Sequence, residues 1–597
     1  MYTSLFSAEV QAVFDQACRA SGQTNGPFPS PADWRDHSIY FLLVDRFNNP
    51  SAPPAHAPYD DPHYDCFQGG TFRGIRQRLD YIKNLGMGAI WLSPVLKNLP
   101  FSDTSYHGYG IHDFLRAEPR FADNWGQADD ELRALVDAAH QAGLYVIFDI
   151  VLNHTGNVFA YNGNTTAPHS DTPLPIQWRD AKGIPQANYS DVATIANPSA
   201  DAFVWPTELQ NNAYFRRQGG PDPKGPDTLG DFSALKQLMT DNPELQNYLI
   251  RAYQYVIARY DIDGFRIDTL RYLPADFALT FGNAVREFAL AIGKKNFFTF
   301  GEVWDGNAEN DIARFIGRNT KMGNDANSLI GVDAALDYPL FNTLKPVIKG
   351  SQAPSTVTAM YQWRKQSEQF ILSSHGDATR YFVTFLDNHD VKERLRYANP
   401  NNPDRYNDQA TLGLACLYAL PGIPCVYYGT EQGLHGVGSD AAVREALWGI
   451  APQFPQNGLF YTELKKLAAV RASLPALRYG RFYFRPISGD GKNFAVSALP
   501  NGVLAWSRIL NDREILVIAN TSTTQTVNVY AIVDMSLSRT GDQMTVCYSN
   551  KPHPQAPNPV ARFGAVTVSE VDGPTGKGPI NAVRVTLQAM EIQILRI

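Results

Sequence analysis

The sequence predicts an α/β fold: a (β/α)8 TIM barrel with an inserted domain after its third strand and a C-terminal antiparallel β-sandwich. Three observations carry this prediction. Eight short apolar runs, beginning near residues 39, 89, 145, 263, 297, 331, 381 and 423, alternate with helical patterns, and continuous apolar runs of that length read as parallel strands buried on both faces. The gap between the third and fourth runs, about 156 to 230, is polar and rich in Pro, Asn and Asp, too long for a plain connection in a compact fold. Beyond Leu474 the pattern changes to short alternating segments with turns, which suits antiparallel strands.

Taken in order, residues 1–33 carry a helical pattern (Phe6, Val10, Val13, Phe14, Cys18) and then a Gly/Pro/Ser-rich stretch. They read as an N-terminal extension, not a domain. Residues 34–155 and 231–475 form the barrel, opened by Ile39-Tyr40-Phe41-Leu42-Leu43-Val44 and containing helical patterns such as Ala128 to Ala142. The insert, 156–230, holds Phe159, Tyr161, Trp178, Trp205, Tyr214 and Phe215. A segment of this size needs a core of its own, so most are assigned to packing. Residues 476–597 supply the sandwich through runs such as Val503-Leu504-Ala505-Trp506 and Ile515-Leu516-Val517-Ile518-Ala519.

A chain of 597 residues is too long for one core. Its net charge of −7 comes without any basic run, which argues against nucleic acid as a partner. No apolar stretch reaches the roughly 18 residues of a spanning helix, and the start lacks a basic region followed by an apolar core. The expectation is a protein without a membrane segment, with the cytoplasm favoured, although a trimmed secreted form would read the same way. Five cysteines, odd in number and without close pairs, argue against a zinc site or a disulfide framework. Cys416 and Cys425 read as small core residues. Oligomeric state is left open.

Chemistry enters with three acids, each just past an apolar run: Asp268 in Asp263-Gly264-Phe265-Arg266-Ile267-Asp268, Glu302 in Phe298-Thr299-Phe300-Gly301-Glu302, and Asp390 in Leu386-Asp387-Asn388-His389-Asp390. Barrel enzymes keep their reactive groups at the C-terminal ends of strands. Cleavage of a glycosidic bond needs one ionised carboxyl group to support an oxocarbenium-like centre and one protonated group for the departing oxygen. Arg266 lies two residues before Asp268, on the same face of a strand, and a fixed cation there favours an ionised nucleophile. Glu302 lies among Phe298, Phe300, Val303 and Trp304, where desolvation raises a carboxyl pKa and suits a proton donor.

Together with Asp149-Ile150-Val151-Leu152-Asn153-His154, these segments resemble the four separated motifs of the α-amylase family, glycoside hydrolase family thirteen, over roughly residues 34 to 597. The resemblance implies Asp268 as nucleophile, Glu302 as acid/base and Asp390 as transition-state stabiliser. It implies that Arg266, His154 and His389 bind the sugar at the cleavage point, with His107 and Tyr109, from Tyr106-His107-Gly108-Tyr109, beside them. In the family the aspartate matching Asp149 is mainly structural. The activity implied is retaining cleavage of α-1,4-glucosidic bonds in starch or maltooligosaccharides, with carboxyl groups about 5–5.5 Å apart. A glucanotransferase using the same residues and a non-catalytic binding module are the alternatives.

Three departures from the family pattern bear on detail. After the nucleophile stand Thr269-Leu270-Arg271-Tyr272, where many relatives have Lys-His at the last two positions. Arg271 and Tyr272 are therefore expected to contact the leaving group differently, and the larger ring of Tyr272 favours a sugar acceptor over water. No cofactor is required, while a structural calcium ion is possible with Asn153 as a ligand. The segment Phe232-Ser233-Ala234-Leu235-Lys236 then has Ala234 where relatives supply an aspartate. The loop Asp45-Arg46-Phe47-Asn48-Asn49 resembles a second calcium loop, but with Thr71 at its later partner position. A hard cation wants six to eight oxygens, so each lost carboxylate weakens such a site.

Overall fold

The structure, a computed structural model, describes residues 3–23, 26–59, 63–161, 168–304, 312–319, 329–368, 370–552, 556–569 and 575–597. Each apolar run forms a parallel strand: β1 (Ile39–Leu42), β2 (Ala89–Leu92), β3 (Tyr145–Val151), β4 (Gly264–Asp268), β5 (Phe298–Gly301), β6 (Ala334–Ala335), β7 (Val383–Thr384) and β8 (Ile423–Tyr427). Neighbours pair in order from β1 to β6, and β8 lies between β1 and β7. A bridge between Leu336 and Val383, with Asp337 N donating to Val383 O at 3.0 Å, closes the ring. Each barrel strand thus has a neighbour on both sides, which leaves the barrel no open sheet edge.

Helices between strands are set by local signals. The helix Ala128–Gln141, α1, starts with Asp129, Asp130 and Glu131 and ends with His140, matching its dipole, and it buries Leu132, Leu135, Val136 and Ala139 against the sheet. The helix Pro243–Tyr260, α2, is capped by Asn242, whose side chain accepts from Glu244 N and Leu245 N, and ends at Asp261 in the left-handed region. Residues 8–20 form a helix whose Phe14 packs edge-on against Tyr255 and Phe288. The N-terminal segment is thus fastened to the barrel wall, and Arg251 stacks on both Phe6 and Phe14.

Between β3 and α2 the chain makes a short ribbon, Phe159–Tyr161 with Ile176–Trp178, and several single turns. Phe159, Trp178 and Phe215 pack edge to face at 5.3–5.5 Å. All six aromatics singled out in the sequence are buried, as a small satellite core requires. The C-terminal strands form one continuous hydrogen-bonded sheet, which curls so that its two halves share a core. Leu516 and Ile518 face that core, whereas Ile515, Val517 and Ala519 face the barrel. The period-2 alternation therefore separates two buried faces, and the second face docks the sheet on the barrel.

Candidate active site

Register brings the charged residues together. On β4, Arg266 stands opposite Asp149 of β3, and Asp268 is two residues further on the same face. Glu302 directly follows β5, whose Gly301 pairs with Ile267, and Glu302 N donates to Ile267 O at 2.9 Å. Arg266, fully buried, distributes its donors among three carboxylates: Nη1 reaches Asp149 at 2.9 Å and Asp268 at 2.8 Å, and Nη2 reaches Glu302 at 2.5 Å. Tyr109 OH donates to Asp149 Oδ2 at 2.8 Å, and Trp91 Nε1 approaches the same oxygen at 3.1 Å. Asp149 thus holds the guanidinium from behind while Asp268 and Glu302 hang from its two arms.

The turn after β4 is strained and informative. Thr269, β-branched, has φ +48°, a region costly for such a residue, and its N–H points to Glu302 Oε2 at 3.2 Å. Gly108 has φ +87°, and a Cβ there would lie 2.1 Å from Pro94 O, so only glycine permits the turn that delivers Tyr109. Tyr109 stacks parallel to His389 at 5.6 Å, with its hydroxyl 2.7 Å from His389 Nε2. His389 Nε2 is also 3.1 Å from Asp390. Arg444 clamps this side: it pairs with Asp390 at 3.1 Å and Asp440 at 3.0 Å, and donates to His389 O and Tyr106 OH.

Electrostatics divide the acids. Burial, with Asp268 and Asp390 adding, pushes Glu302 up to about 8 against the pull of Arg266. Asp390 is raised too, chiefly by burial. Burial lowers His154, His389 and His107, the last to about 3. All three imidazoles are therefore neutral hydrogen-bonding groups at ordinary pH. His154 Nε2 and His389 Nδ1 are buried with no protein partner, and His154 Nε2 stands 4.0 Å from Asp268.

Asp268, Glu302, Asp390, His154, His107 and Tyr109 all line one cleft of about 740 Å³. Arg266 and His389 lie just behind its surface. Arg271 and Tyr272 do not line it. Arg271 pairs with Asp227 at 3.2 Å, and both residues border an adjacent groove of about 580 Å³. Phe232 stands between the two spaces, parallel to His154 at 6.0 Å and edge-on to Tyr272 at 5.7 Å. The sequence reading missed Phe232, Asp440 and Arg444. None lies on a periodic element, and only the Asp440-to-Arg444 spacing hinted at a pair.

The calcium expectation does not fit the residues present. Gln237, not Ala234, faces Asn153, with Nε2 3.5 Å from Asn153 Oδ1. Ala234 sits in the exposed turn between Phe232 and Leu235. Gln237 Oε1 already accepts from Arg216 Nε at 2.7 Å and Gly230 N at 2.5 Å, so its amide nitrogen is what faces Asn153. Among the described residues no group of three or more His, Cys, Asp or Glu side chains is arranged to hold a metal ion.

A family model, "Alpha amylase, catalytic domain", matches residues 41–466. The chain belongs to the α-amylase family. It is 26% identical over 467 residues to an α-amylase of Streptomyces lividans, a match covering 71% of this chain and 48% of the relative, so the chain spans about half the length of that protein. It is 25% identical over 540 residues to a cyclomaltodextrin glucanotransferase of Klebsiella oxytoca, covering 83% and 72%. In fold it is similar to the solved α-amylase of Geobacillus thermoleovorans in complex with acarbose, with TM-score 0.62 and 23% identity over 95% of this chain and 99% of that one.

Proposed function

We propose that this α-amylase-family protein cleaves α-1,4-glucosidic bonds of starch and maltooligosaccharides with retention of configuration, by double displacement. The observation that carries the reading is the single guanidinium of Arg266 hydrogen-bonded to both Asp268 and Glu302 at the cleft, with Glu302 pushed up to about 8. A retaining pair stands about 5–5.5 Å apart, and two carboxyls held by one guanidinium favour that close spacing.

In the first step Asp268 attacks the anomeric carbon as the bond to the leaving oxygen breaks and Glu302 gives that oxygen its proton. In the second, Glu302, now ionised, takes a proton from water, whose oxygen displaces Asp268 from the same carbon. Asp390 and the neutral His154 and His389 bind sugar hydroxyls and support the positive charge that develops on the ring. Relatives that are hydrolases support this reading, and the intact set of carboxyls speaks against a binding-only role. A product time course on soluble starch, maltoheptaose and maltotriose tests it: reducing ends accumulate with wild type and vanish with Asp268→Asn. No turnover of any α-1,4 substrate would overturn it.

A second reading, transfer to a sugar acceptor, draws on one feature. Phe232, 45% exposed, and Trp304, 40% exposed, both line the cleft, and aromatic faces favour a sugar ring over water. The similarity to a glucanotransferase points the same way. Products longer than maltotriose, formed from maltotriose alone, are its signature.

A further inference from the structure

Two loops where a divalent ion would be sought carry basic side chains of the protein itself. At the root of the insert, Lys236 is 2% exposed, and its ammonium lies 3.0 Å from Asp231 Oδ2. It also sits over the rings of Tyr161 and Phe159 at 4.8 and 5.3 Å. Asp231 further accepts from Tyr161 OH at 2.6 Å and Gln237 N at 3.2 Å. Gln237 completes the junction, since its Nε2 reaches Thr228 O at 2.7 Å and Asn153 Oδ1 at 3.5 Å. Arg216 binds the other side of its amide. Asp231, the carboxylate at this junction, is held by Lys236, and Arg216 stands on the far side of Gln237. A divalent ion would meet two positive charges and a neutral amide.

The loop after β1 repeats the arrangement with different residues. Arg46 is 1% exposed, with Nε bound to Asp45 at 2.8 Å. Its other nitrogens donate to Tyr64 O, Cys66 O and Arg444 O at 2.7–2.8 Å. Carbonyls and a carboxylate that suit a hard cation are thus gathered around a guanidinium. Asp45 also accepts from Gln68 N and Gly69 N. Thr71, the partner position noted in the sequence, instead caps a helix through Gly74 N.

Both junctions reach the cleft. Lys236 and Gln237 lie at the foot of the tight turn, Phe232 to Leu235, that sets Phe232 over His154. Arg46 braces the backbone of Arg444, which holds Asp390, and stacks on Tyr106 at 3.9 Å. We propose that these two internal clasps, Lys236 and Gln237 with Asp231 and Arg46 with Asp45, take the place of bound divalent ions and make the cleft walls of this protein metal-independent.

The test is thermal unfolding of the full chain with EDTA and with millimolar calcium, alongside calorimetric titration with calcium chloride. Wild type should show the same Tm in both, within about 1 °C, and no saturable heat, because an ion with no site in the native state adds nothing to its stability. Gln237→Asp restores a carboxylate beside Asn153, and combined with Lys236→Ala it should create a site whose Tm rises with calcium and falls with EDTA. Lys236→Ala alone should lower Tm in either condition. A wild-type Tm that drops several degrees in EDTA and recovers with calcium overturns the proposal, as does stoichiometric calcium binding to wild type. If Lys236→Ala does not fold, the wild-type arms still decide. These readouts do not involve catalysis, so they stand or fall apart from the glucan-cleaving reading.

Discussion

One strand carries acids at both ends, and the two ends treat them in opposite ways. Below β4, Asp263 is fully buried and satisfied: Lys294 Nζ and His140 Nε2 each lie 2.8 Å away, and Val146 N donates at 2.8 Å. Asp261 beside it takes a second contact from Lys294 at 2.8 Å. Burial alone would raise Asp263, but Lys294 and His140 outweigh it and hold the carboxyl below its usual range. Above β4, Asp149, Asp268, Glu302 and Asp390 share Arg266 and Arg444, and Glu302 is pushed up instead. Fully compensated charge marks structure, and crowded, under-compensated charge facing a cleft marks chemistry.

Mutation should break that contrast cleanly. Asp268→Asn is expected to lower kcat at least about 10³-fold with Tm nearly unchanged, since it removes the proposed nucleophile and relieves crowding. Asp263→Ala should do the reverse. It leaves Lys294 buried beside a lost partner, a change worth about 3–5 kcal/mol of stability, while kcat per folded molecule holds. Urea unfolding and initial rates measured on both variants decide it, and an Asp263→Ala protein that is stable but inactive would erase the distinction. Arg444→Lys comes next: Asp390 loses a fixed partner, and a small misplacement of the carboxylate proposed to support the developing charge costs up to about 10²-fold in kcat.

The pH dependence has opposite signs at the two ends. As the proposed proton donor Glu302 must hold its proton, so kcat/KM should persist below about 8 and fall roughly tenfold per pH unit above it. In stability, a raised carboxyl pKa favours the native state at low pH, and that advantage disappears as pH rises through about 8. Asp263, depressed, contributes stability above the unfolded value of about 3.9 and loses it as pH falls through its lower native value. Tm profiles from pH 3 to 10 should therefore lose their decline between about pH 4 and 8 in Glu302→Gln and their acid slope in Asp263→Asn. Profiles unchanged in both variants would sink this assignment.

The sequence was most legible where period and burial coincide. All eight barrel strands lie within three residues of their apolar runs, because a strand buried on both faces must be continuously apolar. The three acids were legible because they end such runs, and Arg266 because it keeps the parity of Asp268. Legibility failed in irregular segments. Nothing in the irregular segment that follows the insert fixes register, so Ala234 was placed where relatives supply an aspartate, whereas in the fold Gln237 faces Asn153. Arg444 acts on Asp390 from 54 residues away, a distance no local pattern spans. The C-terminal region reads as two layers in sequence, and only the hydrogen bonding reveals one sheet curled on itself.

The smallest expected effect lies at Phe232, whose ring separates the acidic cleft from the groove holding Arg271 and Tyr272. It contributes no charge, so Phe232→Ala should leave the pH profile and the Asp268 chemistry intact. What it supplies is an exposed apolar face over His154 and against Tyr272, a surface on which a sugar acceptor displaces water at little cost. Removing it should shift product partition from maltotriose toward hydrolysis by a few-fold, since a lost aromatic contact is worth about 0.5–1.5 kcal/mol. Chromatography of early products separates the outcomes. An unchanged ratio of longer to shorter products would assign Phe232 to packing alone and move acceptor choice to Trp304.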